Sequence, residues 1–190
     1  MNKPFTIHRG IAAPLLSDNI DTDQIIPSRE MKSVSKTGLA DGLFAGQRYK
    51  SGRELNPNFI LNQSAYQSAS ILLSGQNFGC GSSREHAVWA LKEYGFRVII
   101  AESFGEIFYN NCVRNGVLCV QLCGADIQKL GRDLEINLPA QTVNGHKFEI
   151  PVGDKEMLVE GLDPIAQTLM VQTDIQAHLE QDKIDRPWVY

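Results

Sequence analysis

The residues with chemical potential concentrate in Asn77-Phe78-Gly79-Cys80-Gly81-Ser82-Ser83-Arg84-Glu85-His86. Gly79 and Gly81 flank Cys80 and let bare backbone approach whatever lies above the turn. Two hydroxyls and a guanidinium, Ser82, Ser83 and Arg84, then stand side by side where a helix is expected to begin. Free N–H groups and the helix dipole favour anions at such a place. A cation in the first turn is electrostatically misplaced unless an anion accompanies it. A substrate carboxylate would resolve the conflict, because arginine binds carboxylates in bidentate fashion.

Two plainer patterns fit the same residues. Ser82-x-x-Glu85 is a capping box, a device worth about 1 kcal/mol that needs no function. Ser103-x-x-Glu106 repeats it at the next expected helix. Gly79-x-Gly81 also resembles the opening of a dinucleotide fingerprint, with Glu102 near the expected acidic position. Arg84 stands where that fingerprint needs its third glycine, and its side chain would spoil the close helix–strand packing which glycine permits. His86 has a convenient titration range, but beside Ala87 and Val88 a structural hydrogen bond is the expected role. Cys80 has no base placed beside it and reads as a small turn residue.

A second polar string, Asn19-Ile20-Asp21-Thr22-Asp23-Gln24, precedes Ile25-Ile26-Pro27. Asp21, Thr22 and Asp23 suit either support of a site or an Asx-rich turn bonded to its own backbone. From Ser28 to Asn58 the composition shifts to Ser, Gly, Lys and Arg with little periodicity. Irregular chain of that length inside a domain points to a functional loop. Arg29 and Arg48 within it are candidate carboxylate contacts or solvated charges.

The elements that must position these groups are legible around them. Ala69 to Leu73, Arg97 to Ala101 and Val117 to Leu122 are short apolar strands. Between them, Arg84 to Tyr94 places Ala87, Val88, Leu91 and Tyr94 at helical spacing, ended by Gly95. A second helix is expected from Ser103 through Cys112, stopped by Asn115-Gly116. Strands alternating with helices imply βαβ units and a parallel sheet, whose ligands sit beyond the carboxyl ends of the strands. Later, Leu134 to Leu138 reads as a strand and Gln141 to Phe148 as a hairpin around Asn144-Gly145. Asp163-Pro164 starts a short helix, and Thr173 to Asp182 another with Thr173 and Gln176 as a capping box.

Apolar residues make up 43% and charged residues 21% of 190, and the net charge is −4. No basic stripe is available for nucleic acid, and no apolar run is long enough to span a membrane. Met1 to Gly10 has no apolar h-region, so no secretory signal is expected and cytoplasmic residence is the default. Cys80, Cys112, Cys119 and Cys123 form no metal-binding spacing and are expected as thiols. The chain is not equipped to hold an iron–sulfur cluster alone.

NFGCGSSREHA, residues Asn77 to Ala87, resembles the signature of the swivelling domain of the aconitase superfamily. NIDTDQII, Asn19 to Ile26, is similar to the other motif of that domain in isopropylmalate dehydratase small subunits. Further similarity covers Tyr94-Gly95-Phe96, Ala101 to Phe104, Ile107 to Asn111 and Gly161-Leu162-Asp163, essentially the whole chain. The resemblance implies one swivelling β/β/α domain over residues 1–190, its partly open, barrel-like sheet flanked by helices, with a mobile substrate-recognition loop at about 28–58. It implies a cluster-bearing large subunit as partner, a 4Fe-4S cluster held there and not on this chain, and reversible dehydration of an alkylmalate in leucine biosynthesis. Within the motif it implies Ser82 as the base and Ser83 and Arg84 as substrate-carboxylate contacts. Glu30-Met31-Lys32 stands where many of these subunits carry Phe-Leu-Lys, which keeps a citramalate- or dimethylmalate-type substrate as the alternative to isopropylmalate. A non-catalytic phosphate- or nucleotide-binding module is the alternative from another class.

Overall fold

A computed structural model of the chain describes residues 2–31 and 35–189. Four short apolar segments form its parallel core: β1 (Ile7–Pro14), β2 (Ala69–Leu73), β3 (Val98–Ala101) and β4 (Leu118–Gln121). Between β1 and β2 lie two single-turn helices, α1 (Thr22–Ile25) and α2 (Ala45–Arg48). The βαβ crossovers are α3 (His86–Tyr94) and α4 (Glu106–Arg114). After β4 come α5 (Gly124–Ile127), β5 (Asp133–Asn137) and the hairpin β6 (Thr142–Val143) and β7 (His146–Lys147). Three helices, α6 (Val152–Glu160), α7 (Pro164–Met170) and α8 (Gln172–Asp185), complete the chain.

The sheet runs in the order β4-β3-β2-β1-β5-β6-β7. Parallel pairing sets Ile71 against Val98 and Val98 against Leu118. β5 joins antiparallel on the other side of β1, pairing His8 with Ile136. Strand residues point alternately to the two faces, and the faces carry different cores. Leu72, Ile99 and Cys119 face α3, α4 and the buried side chains Leu39, Leu43 and Phe44. Ile71, Ile100, Leu118 and Val120 face the curled flank, where Leu134, Ile136, Val143, Phe148 and Leu158 close a second core. A sheet filled on both sides in this way is the partly open barrel flanked by helices that was expected.

Several local expectations are corrected. α3 starts at His86 rather than Arg84, and its N-cap position, Glu85, makes no side-chain cap. α4 starts at Glu106 behind an uncapped Gly105; the Ser103 hydroxyl instead accepts the Asn77 N–H at 2.8 Å. α8 runs from Gln172 to Asp185 with no side-chain cap, so the Thr173–Gln176 box is absent too. The two serine boxes fail because the segments before α3 and α4 are drawn into hydrogen bonds with other parts of the chain. α6 was not foreseen; it buries little besides Leu158 and so carries almost no periodic signal. The hairpin and the Asp163 cap agree with expectation: Asn144 and Gly145 have φ of 45° and 88°, and Asp163 accepts the Ala166 N–H at 2.8 Å. The described part of 28–58 supplies core side chains, so it is packed rather than merely irregular; Lys32 lies outside the described residues. Among the described residues no helix is long and apolar enough to cross a membrane.

Candidate functional site

Residues 77–84 cross the carboxyl ends of β1 to β3 as a winding segment stitched on both sides. On one side Asp21 and Cys80 pair as a parallel bridge. There Gly79 N–H donates to Ile20 O at 2.7 Å, and Thr22 N–H to Cys80 O at 3.0 Å. On the other, Phe78 pairs with Phe104, donating to Ser103 O at 3.0 Å and accepting the Gly105 N–H at 2.9 Å. Phe78 is buried, its ring edge-on to Phe108 at 5.3 Å. Gly79 has φ of 75°, and a Cβ there would fall 2.1 Å from Phe108 Cγ. Neither the conformation nor the space admits a side chain. Gly81, with φ of 92°, turns the chain outward into Ser82.

Ser82 and Ser83 are exposed, so both hydroxyls face solvent. The backbone beneath them is held. Ser82 O accepts the Thr22 hydroxyl at 3.0 Å and the Arg84 N–H at 2.8 Å. Thr22 is buried, which fixes its hydroxyl in this one task. Asp21 caps α1, its carboxylate accepting the Gln24 N–H at 2.7 Å. Asp23 reaches across to Arg84 Nη1 in an ion pair and also accepts the Ser28 hydroxyl at 3.2 Å. The guanidinium's hydrogen bond holds the Asp23 carboxyl below the usual carboxylate range, against a smaller opposing effect of burial.

The polar string therefore divides. Asp21 makes the Asx turn, Thr22 fixes the serine backbone, and Asp23 orients the arginine. Arg84, whose side chain is 27% exposed, pairs with Asp23 through one nitrogen. Among the described residues its guanidinium has no other hydrogen-bond partner. The misplaced cation thus has an internal anion and still has donors to offer.

Two candidates lie elsewhere or act otherwise. Arg48 stacks on Tyr94 at 5.0 Å and donates to Ala40 O at 2.9 Å. Tyr94 ends α3, so Arg48 sits at the far end of that helix from Arg84 and ties down the 28–58 segment. Arg29 is exposed beside Glu30. Among the described residues His86 makes a ring contact with Trp89 at 4.7 Å and no side-chain hydrogen bond of the kind expected. Sequence reasoning passed over Glu93, which looked like an ordinary surface residue of α3. Its carboxylate accepts the N–H groups of Gly38, Leu39 and Ala40 at 2.7, 2.6 and 2.9 Å. No local pattern could have announced a bond across that separation in sequence.

All four cysteines are thiols. Cys112 and Cys119 meet inside the core, where burial pushes the Cys112 thiol up; Cys80 is half-buried and Cys123 exposed. Among the described residues no three His, Cys, Asp or Glu side chains converge as a metal site.

A half-barrel of parallel strands with an antiparallel flank, bearing a Gly-Ser-Ser-Arg turn at its carboxyl rim, is the architecture of an aconitase-type swivelling domain, and the Aconitase C-terminal domain family matches residues 2–124. The chain is 54% identical to the 3-isopropylmalate dehydratase small subunit of Cupriavidus necator, over 99% of this chain and 98% of the relative. With the small subunit of Rhodopseudomonas palustris strain HaA2 the identity is 48% over 97% and 98%. The crystal structure of a 3-isopropylmalate dehydratase from Methanocaldococcus jannaschii is similar at a TM-score of 0.67 and 30% identity, covering 90% of this chain and 98% of that one. The chain belongs to the family of 3-isopropylmalate dehydratase small subunits, aconitase-family hydro-lyases. These relatives lend no support to the nucleotide-binding alternative.

Proposed function

We propose that this chain supplies the proton-handling and carboxylate-gripping half of a 3-isopropylmalate dehydratase, interconverting 2- and 3-isopropylmalate on the leucine route. The carrying observation is the Asp23–Arg84 pair, which holds a guanidinium in the same turn as two exposed serines at the carboxyl rim of a parallel sheet. In this scheme Ser82 takes a proton from the substrate carbon beside a carboxylate and returns one in the rehydration. A serine alkoxide needs stabilisation to form near neutral pH, and the Arg84 charge and the N-terminal end of α3 are the means at hand. Arg84 and Ser83 hold substrate carboxylates, and Asp23 keeps the guanidinium from swinging away.

The site is an open surface turn, so another chain must wall it off from water. We assign that role to a large subunit, which would also carry the 4Fe-4S cluster; bound there, the cluster would supply Lewis acidity to the reaction. In the complex co-expressed with its large subunit, Ser82→Ala is expected to lower kcat on the order of 10²–10⁴-fold while KM changes little. Near-normal turnover would remove Ser82 from the role. An isolated small chain that turns over isopropylmalate would defeat the division of labour.

A further inference from the structure

Glu93 stands in the last turn of α3, yet its carboxylate takes three consecutive backbone N–H groups from a segment far away in sequence. Those donors lead into the turn Ala40–Gly42. Gly42 is packed so closely on Glu30 that a Cβ there would come within 2.6 Å of Glu30 Cβ. Glu30 in turn is held by Arg53 at 3.0 Å, and its neighbour Met31 packs on the core. Two residues before Glu30, the Ser28 hydroxyl bonds Asp23, the residue that orients Arg84. The chain at Ser28–Met31 is thus pinned at one end beside the carboxylate clamp. At the other it rests on a turn gripped by Glu93. The segment continues directly from the Ser28–Asp23 contact and so borders the Asp23–Arg84 pair.

We propose that Glu93 is a positioning residue for this segment: by gripping the Gly38, Leu39 and Ala40 amides it seats the Ala40–Gly42 turn and, through it, Glu30 and Met31, the residues that follow the Ser28–Asp23 contact, and so sets affinity for the substrate's alkyl group. The proposal rests on the dehydratase function proposed above. A carboxylate is the right group for this task because both oxygens only accept. Glutamine of the same size would turn an NH₂ against at least one of the three donors.

The test uses the complex with the large subunit and the variants Glu93→Gln and Glu93→Asp, assayed with isopropylmalate and the smaller citramalate. Glu93→Gln is expected to raise KM for isopropylmalate on the order of tenfold, with kcat within about twofold. The preference for isopropylmalate over citramalate is expected to fall by a similar factor. Glu93→Asp, still an all-acceptor group, recovers part of the loss, and carries the test if the glutamine variant does not fold. In parallel, amide exchange in the full-length small chain should show Leu39 and Ala40 losing protection in Glu93→Gln. Kinetics unchanged despite that loss would overturn the assignment. So would a fall in kcat that is equal for both substrates with KM unmoved, since a merely structural defect would act that way. A wild-type complex inert toward every alkylmalate overturns the dehydratase function and the role of Glu93 with it. An active wild type with an unaltered Glu93→Gln overturns the role of Glu93 alone.

Discussion

At the scale of single residues, the candidate site is held by its backbone. The buried Thr22 hydroxyl is committed to Ser82 O, which leaves the Ser82 hydroxyl available. Thr22→Val keeps the shape and removes that bond. A loss of about 1 kcal/mol in stability is expected, with a larger fall in kcat that Thr22→Ser largely restores. Equal kinetics in Val and Ser variants would count against the fixing role. Asp23 and Glu93 both have carboxyl pKa values lowered in the fold, Asp23 chiefly by Arg84 and Glu93 chiefly by the Gly38 amide. A group whose folded pKa is depressed stabilises the fold above its unfolded pKa and loses that contribution as pH falls through the folded value. Both attachments are therefore expected intact at neutral pH and released only below about pH 4. Protection of the Leu39 and Ala40 amides followed against pH checks this. Release near pH 6 would contradict it.

At the scale of elements, the turn at residues 77–84 is positioned by strand-like stitching on two sides rather than by helix capping. Its hinge is Gly79, wedged against the Phe108 ring with positive φ. Gly79→Ala is expected to destabilise the chain by roughly 3 kcal/mol, lowering Tm on the order of 10 °C. Scanning calorimetry would show it, and an unchanged Tm would mean the turn can relax. The capping-box pattern Ser82-x-x-Glu85 misled because helix starts are chosen by whichever bonds the tertiary structure offers. Here Ser82 O is taken by Thr22 and Arg84, and Glu85 by Asn115 Nδ2 at 2.6 Å.

At the scale of the whole molecule, the two faces of one sheet carry separate cores, and the C-terminal end stands apart from both. No residue of α8 is buried, while Leu72 in β2 is fully so. Deleting residues 172–190 is expected to leave the Tm of the small chain within about 3 °C. Leu72→Ala is expected to cost about 3 kcal/mol. Thermal unfolding of the two variants compares them directly, and a large loss on deletion would show that α8 contributes to the fold. Apolar side chains remain exposed from α7 onward, among them Ile165, Leu169, Met170 and Trp188.

What the sequence alone determined was everything written in short-range terms. The alternation of apolar strands with periodic helices declared the parallel core, Asn144-Gly145 its hairpin, and Asp163-Pro164 a helix start. The Gly-Cys-Gly-Ser-Ser-Arg run and the NIDTDQII string marked the candidate site, because their residue types are chemically conspicuous wherever they fall. Only the tertiary structure decided how those two strings meet: that Asp23 answers the Arg84 charge, that Thr22 holds the serine backbone, and that Arg48 belongs to the far end of α3. It also decided that Glu93 has a task. The physical reason is separation along the chain. A hydrogen bond or ion pair depends on distance in space, and partners brought together by the sheet's crossovers leave no periodicity or local motif in the sequence by which to pair them.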